Sequence, residues 1–140
     1  MKLLTSVEAI EFLNDQCWHD SVLYDIRIIR TNSADQVEIA LDLIQDYENL
    51  RFRRCTFTFN DCYYIETRMN GGVKCISDGE MIYIAKATND SSYIDKVVDV
   101  WKEVLTLERL IFFSMNLSST NSQIEIVCRG IKQTFDDMSL

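Results

Sequence analysis

The one histidine of the chain lies in a short run whose residue types could support catalysis. Cys17, His19 and Asp20, followed by Ser21, comprise a nucleophile, a base and an acid. In an extended segment the histidine shares a face with Cys17 and Ser21 while the aspartate points away, whereas a catalytic triad is normally assembled from residues distant in sequence. We therefore predict that His19 and Asp20 orient the start of the first strand and that the protein is not an enzyme.

Cysteine is the second residue type with chemical potential. The five cysteines include no Cys-x-x-Cys pair, and Cys17 with His19 is the sole closely spaced pair of soft ligands. A structural zinc site needs four ligands, commonly in paired spacings. An odd cysteine count without such pairs is typical of a reducing compartment rather than a disulfide framework. We expect no metal, no cofactor and a cytoplasmic location.

Phosphate-binding motifs are also missing from the sequence. Gly71-Gly72 and Asp78-Gly79 fit neither the dinucleotide nor the P-loop glycine pattern, and both are typical of tight turns. The chain has 22 acidic and 14 basic residues, for a formal charge of −8. Unaided nucleic-acid binding is disfavoured because phosphate contacts need clustered cations.

The charges are segregated along the chain. Residues 1–50 carry 10 acidic and 3 basic side chains, whereas residues 51–75 carry 2 acidic and 5 basic ones. The basic segment either neutralises the acidic one within the molecule or binds an anionic partner. Its cations are Arg51, Arg53, Arg54, Arg68 and Lys74.

The acidic segment has two interpretations. It is the solvated face of a sheet, or it is a docking surface for a basic protein, since complementary charge accelerates association and selects partners. Exposed Tyr47, Tyr63 or Tyr64 would supply the aromatic anchors that an interface needs. The candidate partner-binding residues are Asp35, Glu38, Asp42, Asp46, Tyr47 and Glu48.

Hydrophobic periodicity predicts the elements that position these residues. Thr5 and Glu8 have the spacing of a capping box ahead of a helix over 6–14, and apolar residues alternate with polar ones over 21–30 and 36–46, which predicts a hairpin. A longer helix is predicted over 92–107. Further strands are predicted over 52–59, with a bulge at Arg53-Arg54, and over 62–69, 73–77, 81–87, 110–117 and 123–132; residues 136–140 read as a frayed tail.

These elements favour an α+β fold with a mainly antiparallel sheet of about eight strands. We expect a strongly curved sheet that holds Trp101 and its helix in the concavity, with a partly open barrel as the alternative. The 140 residues contain no proline and four glycines, and no linker interrupts them, so one domain over 1–140 is predicted. We recognise no secretory signal and no run long enough to span a membrane. Exposed strand edges would allow a homodimer to form.

Two stretches of the chain carry a family resemblance. The run from Trp18 to Ser21, followed by the alternating strand from Val22 and a second strand over 37–43, resembles the opening of small bacterial domains of unknown function. Some of these resemble immunity proteins of polymorphic toxin systems, and the closing segment, 112–135, is similar in style. The resemblance implies a cytoplasmic protein that blocks a toxin by binding it, and an acidic chain would suit a basic nuclease target.

Two functions are therefore predicted. The first is a non-enzymatic protein-binding module, an immunity-like inhibitor of a basic toxin. The second is a small-molecule carrier with an apolar cavity between the sheet and the 92–107 helix. That cavity would be lined by Phe52, Phe57, Phe59, Tyr83, Trp101, Phe112 and Phe113, which could equally fill a core.

Overall fold

A computed structural model describes residues 2–32, 34–70, 79–101 and 109–136. These ranges contain two helices, α1 (Ser6–Asn14) and α2 (Ser92–Trp101), together with nine strands. The strands are β1 (Leu4–Thr5), β2 (Val22–Arg30), β3 (Asp35–Asp46), β4 (Arg51–Asn60), β5 (Tyr64–Arg68), β6 (Glu80–Thr88), β7 (Ile111–Leu117), β8 (Gln123–Cys128) and β9 (Gly130–Phe135).

All nine strands pair antiparallel in one sheet with the order β1-β9-β4-β3-β2-β6-β7-β8-β5. The sheet has two halves, β1-β9-β4-β3-β2 and β6-β7-β8-β5. They join through a short ladder in which Val22 lies opposite Met81 and Leu23 opposite Glu80. The predicted hairpin is confirmed as β2 and β3, in register from Arg30 opposite Asp35.

The main core lies on the face of the sheet that α1 covers. Trp18, in the loop after α1, is buried with its ring centroid 4.9 Å from Phe57 of β4 and 5.5 Å from Phe113 of β7. The indole nitrogen of Trp18 donates to the carbonyl of Leu13 at 2.6 Å. The ring centroids of Phe59 on β4 and Phe113 on β7 are 4.8 Å apart, so side chains from both halves of the sheet meet in this core.

Helix α2 packs on the opposite face of β7 and β8. Ile94 and Val97 cover Phe112 and Val127, and the ring of Tyr93 stacks on that of Phe112 with a centroid separation of 5.0 Å. Strand β7 is therefore buried on both faces, which explains its nearly continuous run of apolar residues.

Two predictions about the sheet are wrong. The sheet is not strongly curled. Helix α2 does not hold Trp101 in a concavity, because α2 lies on the face opposite the main core and the Trp101 side chain is 41% exposed. The tryptophan that fills the core is Trp18. A helical apolar stripe shows that a helix packs on a sheet but not on which face, so the sequence pattern could not distinguish the two.

The predicted local elements are largely confirmed, with three corrections. Helix α1 begins and ends as predicted, yet the Thr5 side chain makes no capping bond. The irregularity in the β3–β4 ladder falls at Gln45, whereas Arg53 and Arg54 pair regularly. The predicted strand over 123–132 is two strands, β8 and β9. Predictions for 73–77, and parts of those for 92–107 and 136–140, lie outside the described residues.

The break between β8 and β9 lies at Arg129, whose backbone N–H donates to the carbonyl of Asn60 at 3.1 Å. Next to it, Gly130 pairs with β1 so closely that a Cβ atom there would lie 2.8 Å from the carbonyl oxygen of Leu4. The chain passes from one half of the sheet to the other at this point, so the alternation of side chains does not reveal the break. A single domain over 1–140 and a homodimer stay predictions.

Candidate functional site

The loop between α1 and β2 places the residues singled out for their chemistry at the junction of the two halves. Asp20 has a positive φ of 69°, and its backbone N–H donates to the carbonyl of Ile82 at 3.0 Å. The backbone N–H of Ile82 donates in return to the carbonyl of Ser21 at 2.8 Å. These bonds extend the short β2–β6 ladder, so the loop helps to hold β6 beside β2.

Ser21 has a structural position. Its side chain is fully buried, where its hydroxyl donates to the carbonyl of Cys17 at 2.7 Å and accepts from the backbone N–H of Ile44 at 3.0 Å. A buried hydroxyl that bridges two backbone segments is not presented to a substrate. Ser21 is therefore a structural residue.

His19 is exposed but anchored. Its Nδ1 lies 2.9 Å from the carbonyl oxygen of Tyr83, and because a carbonyl only accepts, Nδ1 carries the proton. Nε2 lies 3.6 Å from a carboxylate oxygen of Asp20. His19 thus ties the loop to β6.

A shallow groove of about 230 Å³ opens beside this histidine. We call it the Tyr47–Tyr83 groove, because these two tyrosines line it together with Cys17 and His19. The Tyr47 hydroxyl donates to the carbonyl of His19 at 2.7 Å, and the ring of Tyr83 lies edge-on to the imidazole at 6.0 Å. Partial burial, and then the nearby Cys17 and Asp20, raise the pKa of Tyr47.

The β3–β4 turn carries the acidic residues next to Tyr47. Asp46 accepts from the side-chain amide of Asn49 at 2.6 Å and from the backbone N–H of Glu48 at 3.0 Å. The bonds from Asn49, above all from its side chain, lower the pKa of Asp46. Glu48 is exposed, and within the described ranges it has no lysine or arginine partner.

The other predicted acidic residues are compensated within the molecule. Asp42 accepts from Arg54 Nε at 2.6 Å and from the hydroxyl of Tyr24 at 2.8 Å, and the guanidinium lies 4.0 Å from the centre of the Tyr24 ring. Two looser ion pairs lie along the same hairpin. Glu38 pairs with Arg27 at 3.6 Å and Asp35 with Arg30 at 3.8 Å.

The basic segment contributes to this compensation. Arg54 bonds to Asp42, and Arg51 lies opposite Asp46 in the ladder, where its charge helps to lower the pKa of that carboxyl. The Arg53 guanidinium lies 3.5 Å from the centre of the Phe135 ring. Intramolecular neutralisation therefore accounts for Arg51 and Arg54, while Lys74 lies outside the described residues.

The other two proposed aromatic anchors are engaged. Tyr63 is partly buried against the α2 cluster, with its ring 6.0 Å from that of Trp101. Tyr64 donates to Glu66 and packs 5.3 Å from the ring of Tyr93. Burial, followed by the bond to Glu66, raises the pKa of Tyr64. Tyr47, which is 48% exposed, is the one of the three that presents its ring to solvent.

The residues predicted to line a carrier cavity do not converge. Phe57, Phe59 and Phe113 are fully buried in the core, whereas Phe52 and Tyr83 are exposed. A different cavity, of about 580 Å³, lies along β2 and is lined also by residues of β5, the start of β6 and the end of β7. Its apolar lining comprises Leu23, Ile26, Ile28, Met69 and Leu117.

The described thiols differ in exposure. Cys17 is exposed, whereas burial raises the pKa of Cys55 to about 11 and that of Cys62 to about 12. Burial likewise raises the pKa of Cys128. In the ranges that the structure describes, no three histidine, cysteine or acidic side chains gather to hold a metal ion, and neither helix has the length and apolar character to cross a membrane.

Comparison of the chain with protein-family models, with curated proteins and with solved structures found no match. Sequence reasoning missed the pairing of Tyr83 with His19, because the two residues are 64 positions apart. No local pattern in the sequence could have found that contact.

Proposed function

We propose that the protein is a non-enzymatic binding module for a basic protein partner, and that its contact surface is centred on the Tyr47–Tyr83 groove. The observation that carries the proposal is that two exposed tyrosines contact His19, with the Asp20 carboxylate 3.6 Å from its imidazole and Glu48 next to Tyr47 in the chain. Tyrosines that expose a large apolar ring beside charged groups are typical of interface hot spots.

The charge distribution supports this end of the hairpin over its middle. Asp42, Glu38 and Asp35 each have an arginine partner, which weakens their field outside the molecule. Asp20 and Glu48 have no lysine or arginine partner within the described ranges. Of the six predicted partner-binding residues, Tyr47 and Glu48 therefore form the proposed contact with the partner, and Asp46, which lies opposite Arg51, holds the turn that presents them.

The resemblance to immunity proteins extends the proposal. A protein that blocks a basic toxin needs a rigid acidic surface with aromatic anchors rather than a catalytic centre. Hydrogen bonds join the Tyr47 hydroxyl and the Tyr83 backbone carbonyl to the α1–β2 loop, and the acidic Asp20 and Glu48 are chain neighbours of the lining residues His19 and Tyr47. We propose inhibition of such a toxin as the biological role.

Capture from source-cell lysate, supplemented with the products of adjacent genes, tests the proposal. The bait is the native chain, and the captured proteins are washed across a salt series and identified by mass spectrometry. We expect one stoichiometric basic partner whose retention falls as salt rises. Capture must be lost with the double variant Tyr47→Ala/Glu48→Lys and retained with Asp99→Lys, which reverses an exposed charge on α2.

Binding that the double variant leaves unchanged would refute this surface. If the partner is a toxin, the native chain should also abolish its activity at equal concentration, and the double variant should not. A captured partner whose activity is unaffected would support binding but exclude the inhibitory role.

A second candidate function, small-molecule binding, is favoured by the largely apolar cavity of about 580 Å³ along β2, whose size is typical of ligand sites. A ligand at about 100 times its Kd would stabilise the fold by roughly 2.7 kcal/mol, which a thermal-shift panel of apolar metabolites would detect. The variant Ile28→Trp should reduce any such shift by filling the cavity. A panel without a shift would exclude this function for the compounds tested.

A further inference from the structure

We infer that the Tyr47–Tyr83 groove receives one arginine side chain of the partner. This inference deepens the proposed function by naming the chemistry that the groove recognises. A groove of about 230 Å³ is small and has room for a single long side chain rather than a helix or a strand. Its occupant is therefore one residue, and the remaining contacts of the partner lie around the rim.

The walls of the groove favour a cation. Tyr47 and Tyr83 are 48% and 60% exposed, and the faces of tyrosine rings attract guanidinium and ammonium groups. Nε2 of His19 does not carry the proton in the neutral ring and can accept a hydrogen bond. The Asp20 carboxylate, 3.6 Å from that nitrogen, supplies the negative charge.

The chain already holds one guanidinium by the same chemistry. Arg54 lies 4.0 Å from the centre of the Tyr24 ring and donates to Asp42 at 2.6 Å. The groove offers tyrosine rings, and the Asp20 carboxylate lies 3.6 Å from the His19 imidazole that lines it, while no lysine or arginine is among the described residues of the lining. A guanidinium from outside the molecule would complete the arrangement.

Arginine suits this groove better than lysine. The guanidinium is planar, stacks on aromatic rings and presents several donors in a fixed fork, whereas an ammonium is compact and strongly hydrated. In the groove, one edge of the fork would face Asp20 and His19 while its plane lies against a tyrosine ring. We therefore expect discrimination between the two cations as well as between charged and neutral side chains.

The test uses N-acetyl-arginine amide as the probe, titrated into the native chain and followed by NMR of the tyrosine and histidine ring signals. We expect saturable shifts confined to Tyr47, Tyr83 and His19. The matched probe N-acetyl-citrulline amide, which has nearly the same shape without the charge, should bind about tenfold more weakly or not at all. The lysine analogue should bind about threefold more weakly than the arginine analogue.

Variants place the probe in the groove. Asp20→Asn removes the charge and tolerates the positive φ at this position, because asparagine adopts this conformation more readily than most residues. It should weaken arginine binding at least threefold, and Tyr83→Leu should do the same through loss of the ring. The control Asp99→Asn removes an exposed charge on α2 and should leave binding unchanged.

Equal binding of the citrulline or lysine analogue would overturn the inference, as would shifts spread over other acidic surfaces or an Asp20→Asn variant that binds normally. These outcomes are separate from those of the capture experiment. A partner captured through Tyr47 and Glu48 while the arginine probe fails would leave the proposed function standing and remove the arginine. A probe that binds as expected when no partner is captured would support the preference of the groove for arginine and refute the proposed function.

Discussion

The two tryptophans give the sharpest test of the fold. Trp18 is 4% exposed, with its indole nitrogen bonded to the carbonyl of Leu13, whereas Trp101 is 41% exposed at the end of α2. We predict that Trp18→Phe destabilises the protein strongly and that Trp101→Phe does not. The opposite ranking would follow if Trp101 occupied the core, as the sequence pattern suggested.

The magnitude follows from what each substitution removes. Trp18→Phe loses a buried hydrogen bond, which costs about 1 kcal/mol. The smaller ring buries a few tens of Å² less apolar area and leaves a gap beside Phe57 and Phe113, which costs about 1–2 kcal/mol more. The expected loss is about 2–3 kcal/mol, or roughly 5–10 °C in Tm for a chain of this size. Trp101→Phe should stay within about 0.5 kcal/mol.

Urea unfolding followed by circular dichroism measures both free energies of unfolding. The variants also provide a fluorescence control, because the chain has only two tryptophans. Acrylamide should quench the single tryptophan of Trp18→Phe readily and that of Trp101→Phe poorly. Equal costs for the two substitutions, or strong quenching of Trp18 in the folded state, would refute the placement of these residues.

Three further substitutions test local features. Gly130→Ala should cost about 1–3 kcal/mol and loosen β1, because its Cβ would lie 2.8 Å from the Leu4 carbonyl oxygen; amide exchange that is unchanged in β1 would contradict this. Asp46→Asn should destabilise the protein at neutral pH. Because the folded pKa of Asp46 lies below its ordinary 3.8, the difference in stability from the native chain should shrink as the pH falls from 3.8 through the folded pKa. A constant difference in urea titrations at pH 7 and pH 3 would contradict this. Glu125→Gln should stabilise the protein by about 0.2–1 kcal/mol, since Glu125 lies directly opposite Glu66; a loss of stability in thermal unfolding would exclude net repulsion.

The sequence by itself determined the local elements and the fold class. Alternation with a period of two predicted β2 and β3, a helical period predicted α1, and turn-rich connections predicted antiparallel pairing, all of which the structure shows. These patterns predict secondary structure reliably because each depends on about ten neighbouring residues. The number of strands differs because β1 was not predicted and the predicted strand over 123–132 is β8 and β9, while the predicted strand over 73–77 lies outside the described residues.

The tertiary structure decided which faces meet and therefore where the candidate site lies. Trp18 follows α1 and Trp101 ends α2. Because α1 and α2 pack on opposite faces of the sheet, Trp18 lies in the core and Trp101 on the surface. Likewise, the groove exists because a ladder between β2 and β6 brings Tyr83 to His19 across 64 residues. Such contacts depend on the path of the whole chain, which no local periodicity encodes.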